Sequence, residues 1–285
     1  MAIDPERVRP ARAGRVERTL VTRYAADGTT RRSPDELIVE EPLAIELDGV
    51  RVATTMRTPG HDFELAAGFC FTDGLLAGAP VLRCRYCGNG SAYDTDYNVV
   101  TVHTGGRAPT PTARLTTTSS SCGLCGSQTI DELADRLSPL VGVEPFPLEL
   151  LVDLPERARA HQPTFDRTGA VHAAAAFDRR GEAVVVREDI GRHNAVDKVV
   201  GSLLLEGRLE PVDGAGVRPT ADMALYVSGR ASFEMVQKAW AAGFAAVVAV
   251  SAPSALAVRT ANLANLQLAG FVRKGAMNVY SPGGG

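Results

Sequence analysis

The 285-residue chain lacks several features that define broad classes of protein. It has no excess of positive charge: its formal net charge is −3, so no general affinity for nucleic acid is expected. No apolar segment follows the arginines of residues 1–18, so no secretory signal is predicted, and this N-terminal arm is expected to be disordered. One uncharged run, Ala239–Val258, has the length of a membrane span but contains Gly243 and Pro253. It therefore predicts a helix end, a buried strand and a helix start, and the protein is expected in the cytoplasm.

Cysteine is scarce, with five residues, and the placement of four of them is informative. Cys84 and Cys87 form one Cys-x-x-Cys pair, and Cys122 and Cys125 form a second. Without a secretory signal, structural disulfides are not expected, whereas reduced, reactive or metal-bound thiols are. Cys70 lies in an apolar helical run and is predicted to be a small core residue.

The second cysteine pair has the sequence context of a reactive thiol. Cys122 follows three serines, and the pair precedes a predicted helical stretch, Ile130–Leu140. A thiol at a loop-to-helix junction feels the exposed N–H groups of the first turn, which lower its pKa and favour the thiolate. A thiolate can attack a sulfane sulfur and hold it as a persulfide, and Cys125 is placed to resolve or shield that group.

The same two pairs also fit a structural zinc site with four cysteine ligands. The spacer between Cys87 and Cys122 is 34 residues, which is longer than the usual ribbon spacing of about 15–20 residues. Spacing alone leaves zinc binding and persulfide chemistry both open. A thioredoxin-like redox pair is disfavoured, because a hydroxyl-rich loop rather than a strand precedes Cys122.

Hydrophobic periodicity predicts a mixed first third and a regular α/β remainder. Asp48-Gly49 between two alternating segments indicates a type I′ hairpin. In the second part, strands alternate with helices of about ten residues, which predicts a mostly parallel sheet covered on both faces. The predicted strands are Val16–Tyr24, Leu37–Leu47, Val50–Arg57, Val81–Tyr86, Tyr97–His103, Ala170–Phe177, Ala183–Glu188, Met223–Ser228, Ala245–Ser251, Phe271–Arg273 and Met277–Tyr280. The predicted helices are His61–Leu76, Ile130–Leu140, His193–Leu205, Phe233–Ala242 and Ala255–Leu268.

Three polar loops precede predicted helices, as anion-binding loops do. They are Glu188–Asn194, Ser228–Ser232 and Ser251–Ser254. If the sheet is parallel, the last two loops emerge at one sheet edge, where α/β sheets bind ligands. Free N–H groups at helix N-termini, together with serine and arginine side chains, suit phosphate.

Each of these polar residues also has a structural interpretation. Ser232 and Ser254 fit ordinary helix capping, but capping does not explain Arg230 beside Ser228. His193 taken alone fits a buried structural role as well as a functional one. The sequence therefore indicates Ser228, Arg230 and His193 as candidate phosphate contacts and leaves the structural interpretation open.

Two further segments carry titratable or charged side chains. A nucleobase deaminase would have His-x-Glu followed by a downstream cysteine pair. After His172 the glutamate position is Ala174, and the cysteine pair lies upstream, so deaminase catalysis is disfavoured. The segment Phe271, Val272, Arg273, Lys274, Gly275 and Ala276 is a basic turn between two predicted strands, and it fits either a solvated hairpin or a polyphosphate clamp.

These motifs resemble those of the formate dehydrogenase accessory sulfurtransferase family (FdhD/NarQ). The resemblance covers most of the chain after residue 37, and two long polar motifs in the same order make it specific. The matching segments are Ser121–Gly126, Val171–Ala175, Glu188–Lys198, Val227–Lys238 and Gly270–Ser281. The Cys84/Cys87 pair is not among the family's motifs, which leaves a local metal or accessory role for it open.

The resemblance implies a sulfurtransferase that acts as a sulfur carrier. Members take sulfur from a cysteine desulfurase and deliver it to the molybdenum cofactor of formate dehydrogenase, which needs it for activity. The implied persulfide site is Cys122, with Cys125 beside it. The bis(molybdopterin guanine dinucleotide) cofactor is implied as a bound substrate on Phe271–Ala276, and no permanent cofactor is expected.

The resemblance also implies a fold and an assembly. The fold is a cytidine-deaminase-like three-layer α/β/α core with a smaller, β-rich N-terminal α+β domain, usually dimeric. The corresponding domains are the arm 1–18, the small domain 19–115 and the core 116–285. Expected partners are a cysteine desulfurase, formate dehydrogenase and a second copy, with neither nucleic acid nor a membrane. The alternative is a nucleotide-binding module without transfer activity, stabilised by zinc on the two cysteine pairs.

Overall fold

A computed structural model describes residues 14–86, 98–111, 133, 136–209 and 219–284. These residues form a mixed α/β structure with sheets of six, four and two strands. The strands are β1 Val16–Tyr24, β2 Thr30–Ile38, β3 Glu41–Leu47, β4 Val50–Arg57, β5 Arg83–Tyr86, β6 Val99–His103, β7 His172–Asp178, β8 Ala183–Asp189, β9 Met223–Val227, β10 Ala246–Ala249, β11 Gln267–Arg273 and β12 Ala276–Ser281. The helices are α1 Asp62–Thr72, α2 Leu148–Arg159, α3 Pro163–Thr168, α4 Arg192–Leu205, α5 Phe233–Ala242 and α6 Ala255–Leu263, with a 3₁₀ helix at Pro219–Asp222.

The six-stranded sheet has the order β12-β11-β10-β9-β7-β8. Its central strands β9, β10 and β11 are parallel, whereas β7, β8 and β12 join it in antiparallel pairs. The prediction of a mostly parallel sheet is therefore wrong. The reason lies in two tight connections, at Arg180-Gly181 and Lys274-Gly275, because strands joined by a short hairpin must run antiparallel.

Helices cover both faces of this sheet. Side chains of a strand alternate between faces, and along β9 Leu225 and Val227 pack in the apolar cluster that contains α4, α5 and α6. Ala224 and Tyr226 point the other way, into the cluster built around α2. The predicted three-layer α/β/α arrangement is thus confirmed, while the specific likeness to cytidine deaminases stays a prediction.

The four-stranded sheet has the order β4-β3-β6-β5 and packs against α1. Its β3–β4 hairpin turns at Asp48 and Gly49, whose φ angles are 48° and 89°. Both values are positive, as a type I′ turn requires, so the hairpin prediction is confirmed. Inward residues Leu43, Ile45 and Leu47 belong to the same apolar cluster as α4, and this sheet therefore shares one core with the six-stranded sheet.

Two glycines allow α1 and α4 to cross at very short range. A Cβ atom on Gly68 would lie 1.9 Å from the carbonyl oxygen of Asp197, and one on Gly201 would lie 1.8 Å from that of Glu64. Cβ atoms do not approach oxygen so closely, so only glycine fits at either position. The crossing joins the helix of the four-stranded sheet directly to the backbone of α4.

Within the described part of the chain, strands β1 and β2 pair with each other alone and form a two-stranded ribbon, Val16–Ile38. The sequence predicted β1 with its observed ends but not β2, assigning only Leu37 and Ile38 of it to a strand. β1 begins at Val16, within the predicted arm 1–18, and residues 1–13 lie outside the described part of the chain. The predicted domain boundary near 115 also falls outside it, so the domain division stays a prediction.

The uncharged run Ala239–Val258 forms the end of α5, then β10, then the start of α6, as predicted. No helix within the described residues is long and apolar enough to cross a membrane. The predicted helix Ala255–Leu268 is too long: α6 ends at Leu263, and Leu268 lies in β11. Asn265, with φ of 55°, ends the helical course, and Leu266 and Leu268 enter the sheet core instead.

Candidate functional site

Most of the polar motif residues that the structure describes lie at one edge of the six-stranded sheet. The loops after β9, β10 and β11 emerge there because these strands are parallel. They are also bonded to one another: the N–H of Ser251 donates to the carbonyl of Gly229 at 3.3 Å, and that of Phe271 donates to the carbonyl of Ser251 at 3.2 Å. The prediction that the loops Ser228–Ser232 and Ser251–Ser254 share an edge is therefore confirmed.

The antiparallel strands β7 and β8 add residues from their own ends to this edge. His172 opens β7 and lies opposite Asp189, which closes β8. The hydroxyl of Ser228 accepts a hydrogen bond from the N–H of Ala173 at 2.9 Å, and its Oγ lies 3.5 Å from Nδ1 of His172. Burial, with the positive charge of Arg192, lowers the pKa of His172 below 6.5, so its imidazole is neutral at pH 7.

Arg192 and His193 begin α4 beside the loop that follows β9. A side chain on Gly229 would contact both His172 and the Cδ atom of Arg192, at 3.5 and 3.7 Å, so these groups line one surface. Nε2 of His193 contacts the carboxylate of Glu234, the second residue of α5. Burial would raise the pKa of Glu234, but the bond to His193 and the nearby cations hold it below its ordinary value.

Two polar atoms at this edge are buried without a hydrogen-bond partner among the described residues. They are Nε of Arg192 and the hydroxyl oxygen of Ser232. Ser232 precedes α5 but makes no capping bond, whereas Ser254 caps α6 by accepting from the N–H of Ala257 at 3.1 Å. The capping interpretation therefore holds for Ser254 and not for Ser232. Buried polar groups are normally paired, and an anionic ligand would satisfy both atoms.

The predicted basic turn lies at the end of β11, on the same edge. Lys274 and Gly275 have φ angles of 51° and 72° and connect β11 to β12. Arg273 to Ala276 are exposed, whereas Val272 is fully buried in the core and Phe271 is half-buried. Arg230 is also exposed. Two arginines and a lysine thus stand on a surface that is open to a large ligand, and ligand binding by these residues stays a prediction.

The charged residues of the Glu188–Lys198 motif divide into internal and site-facing groups. Asp189 is fully buried and accepts from Gly191 N at 2.8 Å, from Asn194 Nδ2 at 3.0 Å and from Thr58 N at 3.1 Å. Nζ of Lys198, also fully buried, lies 2.7 Å from its carboxylate. These groups fix the loop between β8 and α4, which holds Arg192 and His193 in place.

Two contributors to the site lie within the quoted motifs but were not predicted as site residues. Asn194 ties the start of α4 to the neighbouring sheet, because its amide donates to the carbonyl of Met56 at 2.7 Å. Glu234 contacts His193, and its place in the first turn of α5, two residues after Ser232, was the available signal. Lys238, one helical turn further on, instead pairs internally with Asp197 at 2.9 Å.

Of the five cysteines, the structure describes Cys70 and Cys84. Cys122, Cys125 and Cys87 lie outside the described residues. Cys84 is half-buried in β5, and burial raises its pKa to about 12, so it stays protonated at pH 7. Cys70 is fully buried in the core, as predicted. Among the described residues no group of three or more His, Cys, Asp or Glu side chains forms a metal site, and the four-cysteine zinc alternative stays untested.

In β5 the flanking arginines point away from Cys84. Burial alternates along the strand, with Arg83 and Arg85 exposed and Cys84 and Tyr86 partly buried. This alternation matches the prediction that the guanidinium groups lie on the opposite face from the thiol. Among the described residues, Cys84 therefore has neither a cation on its own face of the strand nor a helix N-terminus beside it, the two features that activate a thiolate.

Comparison with known proteins gives consistent matches along nearly the whole chain. Two proteins named sulfur carrier protein FdhD are similar to it, from Streptomyces coelicolor with 49% identity and from Streptomyces avermitilis with 47%. Each alignment covers 94% of this chain and 95% of the relative. A protein of the same name from Anaeromyxobacter dehalogenans is 47% identical over 87% of this chain and 88% of its own length.

A solved structure supports the fold. A crystal structure from Desulfotalea psychrophila, of a proposed formate dehydrogenase accessory protein, matches with a TM-score of 0.72 and 22% identity. The match covers 94% of this chain and 98% of that one. The FdhD/NarQ family model matches residues 38–284, which include every segment of the sheet edge described above. The chain therefore belongs to the FdhD/NarQ family.

Proposed function

We propose that this chain is a sulfur carrier for formate dehydrogenase maturation, and that it acts as a sulfurtransferase through a persulfide on Cys122. Membership of a family whose similar members are named sulfur carrier proteins supports the carrier role. The observation that carries the proposal is the sheet edge itself. It brings Arg192, His193, Ser228 and Arg230 onto the surface from which the basic turn projects.

The proposed substrate is the molybdenum cofactor in its bis(molybdopterin guanine dinucleotide) form. Its phosphates are anionic, and the edge offers guanidinium groups at Arg230 and Arg273, an ammonium at Lys274 and the unpaired donors of Arg192 and Ser232. Guanidinium groups bind phosphate through paired N–H donors. The exposed turn 273–276 would contact the part of the ligand that lies farthest from the sheet.

The proposed reaction consists of two transfers of the same sulfur atom. In the first, the Cys122 thiolate attacks the terminal sulfur of a persulfide on a cysteine desulfurase, a new S–S bond forms, and the donor cysteine leaves as a thiolate. In the second, the bond on Cys122 breaks. The sulfur takes two electrons from molybdenum to become a sulfido ligand, and Cys122 leaves as a thiolate. Cys125 is proposed to shield the persulfide between the two steps.

Intact-mass spectrometry tests the carrier step. The wild-type chain, incubated with a cysteine desulfurase and cysteine, is expected to gain the mass of one sulfur atom on Cys122. The Cys122→Ala variant should gain none and should fail to activate formate dehydrogenase. A Cys122→Ala variant that activates the enzyme as well as the wild type does would overturn the assignment, as would stoichiometric zinc bound through Cys122.

Titration with GDP tests the anion site separately. The Arg273→Ala/Lys274→Ala variant is expected to bind GDP more weakly than the wild type, and the difference should shrink as salt rises, because exposed charges are screened. Arg180→Ala/Arg208→Ala is the matched control: it also removes two cations, but from the opposite edge, where the β7–β8 turn and the end of α4 lie. Equal binding by both double variants would place the site elsewhere.

A further inference from the structure

Two hydrogen bonds fix the side chain of Ser228 at the sheet edge. The N–H of Ser228 donates to the carbonyl of Ala173, and the N–H of Ala173 donates to the hydroxyl oxygen of Ser228, both at 2.9 Å. The same oxygen lies 3.5 Å from Nδ1 of His172, the first residue of β7, which is a long hydrogen bond. Ser228 therefore connects the loop after β9 to the imidazole of His172.

The direction of the bond between Ser228 and His172 follows from the acceptors available to the hydroxyl. A neutral imidazole has one nitrogen that donates and one that accepts. If Nδ1 accepts, the hydroxyl of Ser228 donates to it and the ring proton is on Nε2. In the reverse arrangement Nδ1 would donate, and the hydroxyl hydrogen would have no acceptor among the described residues. The hydrogen bonds therefore favour the Nε2–H tautomer of His172.

The groups around His172 keep its imidazole uncharged at pH 7. Burial is the main cause that lowers its pKa below 6.5, and Arg192 and His193 on α4 lower it further. Asp189 at the end of β8 opposes them, but its carboxylate lies 2.7 Å from the ammonium of Lys198. An uncharged imidazole can lie beside these cations without repulsion and still donate a hydrogen bond from Nε2.

The space in front of Gly229 borders both His172 and Arg192. A Cβ atom on Gly229 would lie 3.5 Å from Nδ1 and Cε1 of His172 and 3.7 Å from Cδ of Arg192. The adjacent Nε of Arg192 is buried without a hydrogen-bond partner among the described residues, and Arg230, the next residue in the loop, is exposed. A ligand group in this space meets a guanidinium and an imidazole together, and guanidinium groups favour an anion.

We propose that His172 binds an anionic oxygen of the ligand as an uncharged donor, through Nε2–H, and that Ser228 is the positioning residue that fixes this tautomer. Nε2 of His172 has no hydrogen-bond partner within the described part of the chain, so a ligand would satisfy it. Arg192 and Arg230 supply the positive charge, and His172 supplies a bond whose direction the protein sets. The contact rests on the anion site of the proposed function, whereas the tautomer of His172 does not.

Two-bond ¹H–¹⁵N spectra of the full chain with ¹⁵N-labelled histidine test the tautomer. At pH 7, Nδ1 of His172 should resonate as an acceptor nitrogen and Nε2 as a protonated one, and the loss of both signals in His172→Gln assigns them. Ser228→Ala should move the Nδ1 signal towards that of an unbonded nitrogen, and Ser228→Thr should restore it. Ser254→Ala is the matched control, because the hydroxyl of Ser254 accepts from Ala257 instead, and it should leave the His172 signals unchanged.

Calorimetric titration with inorganic pyrophosphate tests the contact. His172→Ala should bind about tenfold more weakly than the wild type, the effect of losing one hydrogen bond to a charged group. His172→Gln keeps an amide N–H donor near the position of Nε2 and should recover part of this loss. Gly229→Ala should also bind more weakly, because its methyl group fills the space that the ligand uses. His103→Ala is the matched control and should bind as the wild type does, because His103 is also half-buried but lies in the four-stranded sheet.

The two parts of the proposal fail in different ways. A protonated Nδ1 in the wild type, or an Nδ1 signal that Ser228→Ala leaves unchanged, would overturn the role of Ser228. Pyrophosphate binding that is unchanged in His172→Ala and Gly229→Ala would overturn the contact while leaving the anion site in place, whereas no binding by the wild type would overturn both. If His172→Ala loses the wild-type circular dichroism spectrum, Gly229→Ala takes its place. The persulfide on Cys122 is measured separately by mass.

Discussion

Asp189→Asn is expected to destabilise the protein severely, although it replaces only one carboxylate oxygen by an NH₂ group. The carboxylate of Asp189 is fully buried and accepts from three N–H donors as well as from the ammonium of Lys198. Burial lowers the pKa of Lys198, and the negative charge of Asp189 opposes that effect. An asparagine removes the charge and directs its own NH₂ group at other donors, so Lys198 stays fully buried but loses the carboxylate that lies 2.7 Å from its ammonium.

The magnitude follows from the burial of both groups. Removing one partner of a buried ion pair costs about 3–5 kcal/mol, a large share of the 5–15 kcal/mol that typically separates folded from unfolded protein. Because each kcal/mol shifts the melting temperature of a domain of this size by roughly 2–4 °C, a fall of about 10 °C is expected. Urea unfolding followed by circular dichroism measures the free energy directly.

A second variant separates the ion pair from local distortion. In Asp189→Asn/Lys198→Met the unpaired cation is gone, so this double variant should be more stable than Asp189→Asn alone. A single variant within about 0.5 kcal/mol of the wild type, the range of an ordinary surface substitution, would refute the structural role of Asp189. At a temperature where Asp189→Asn remains folded, sulfur loading of Cys122 should be retained.

Three other predictions concern different parts of the chain. Burial would raise the pKa of Glu64, but hydrogen bonds from Arg187 and His61 hold it at about 2 instead of 4.5. Its carboxylate therefore stabilises the folded state above pH 4.5, and this stabilisation is lost as the pH falls from 4.5 towards 2. The urea concentration at the unfolding midpoint should therefore decrease less steeply with falling pH in Glu64→Gln than in the wild type. Gly201→Ala should destabilise the protein by about 1–3 kcal/mol or more, measured by urea unfolding, because α1 and α4 must separate. Cys84→Ser/Cys87→Ser should retain the Cys122 persulfide in intact-mass spectra.

Each of these has an outcome that contradicts it. An acid limb that is equally steep in Glu64→Gln and in the wild type would show that this carboxylate contributes nothing. Gly229→Ala is the control for Gly201→Ala, because a Cβ on Gly229 meets its nearest atom at an ordinary 3.5 Å, and equal stability of the two variants would exclude the helix contact. Loss of bound zinc and of folding in Cys84→Ser/Cys87→Ser would favour the metal module, because structural zinc contributes directly to folding.

Local signals in the sequence predicted the elements that local chemistry determines. Asp48-Gly49 predicted its hairpin because two positive φ angles demand such residues, and Gly243 ended α5 with φ of 79° as expected. The uncharged run Ala239–Val258 was also divided correctly. In these cases the residue at the end of the element itself favours the backbone conformation found there, so the element could be predicted without knowledge of tertiary contacts.

Elements that depend on tertiary contacts were missed. β2 contains Arg31, Arg32 and Pro34 and has no apolar alternation, so only its pairing with β1 makes it a strand. α2 contains Pro155, a residue that normally disfavours a helix interior. The helix forms nevertheless, because Leu151 and Leu154 pack in the apolar core between α2 and the sheet. The apolar spacing of Ala255–Leu268 is compatible with a helix and with a strand, and its last two residues form the start of β11.

For the site, sequence reasoning found the correct sheet edge but not the role of each residue on it. The density of charge in Glu188–Lys198 suggested a single binding surface. In the structure Asp189 and Lys198 face the interior, and Arg192 and His193 face the loops. Burial depends on what packs against α4, and the sequence of α4 does not contain that information.

The glycine crossing of α1 and α4 has a consequence for how the molecule opens. With no side chains between the two backbones, α1 cannot leave without exposing the middle of α4, although more than a hundred residues separate them along the chain. The two helices therefore belong to one cooperative unfolding unit. Amide protons in the centres of both should exchange with solvent at the same free energy, whereas those of the β1–β2 ribbon should exchange independently and sooner. Local fluctuations at the sheet edge must then come from the loops and the basic turn, not from separation of the two sheets.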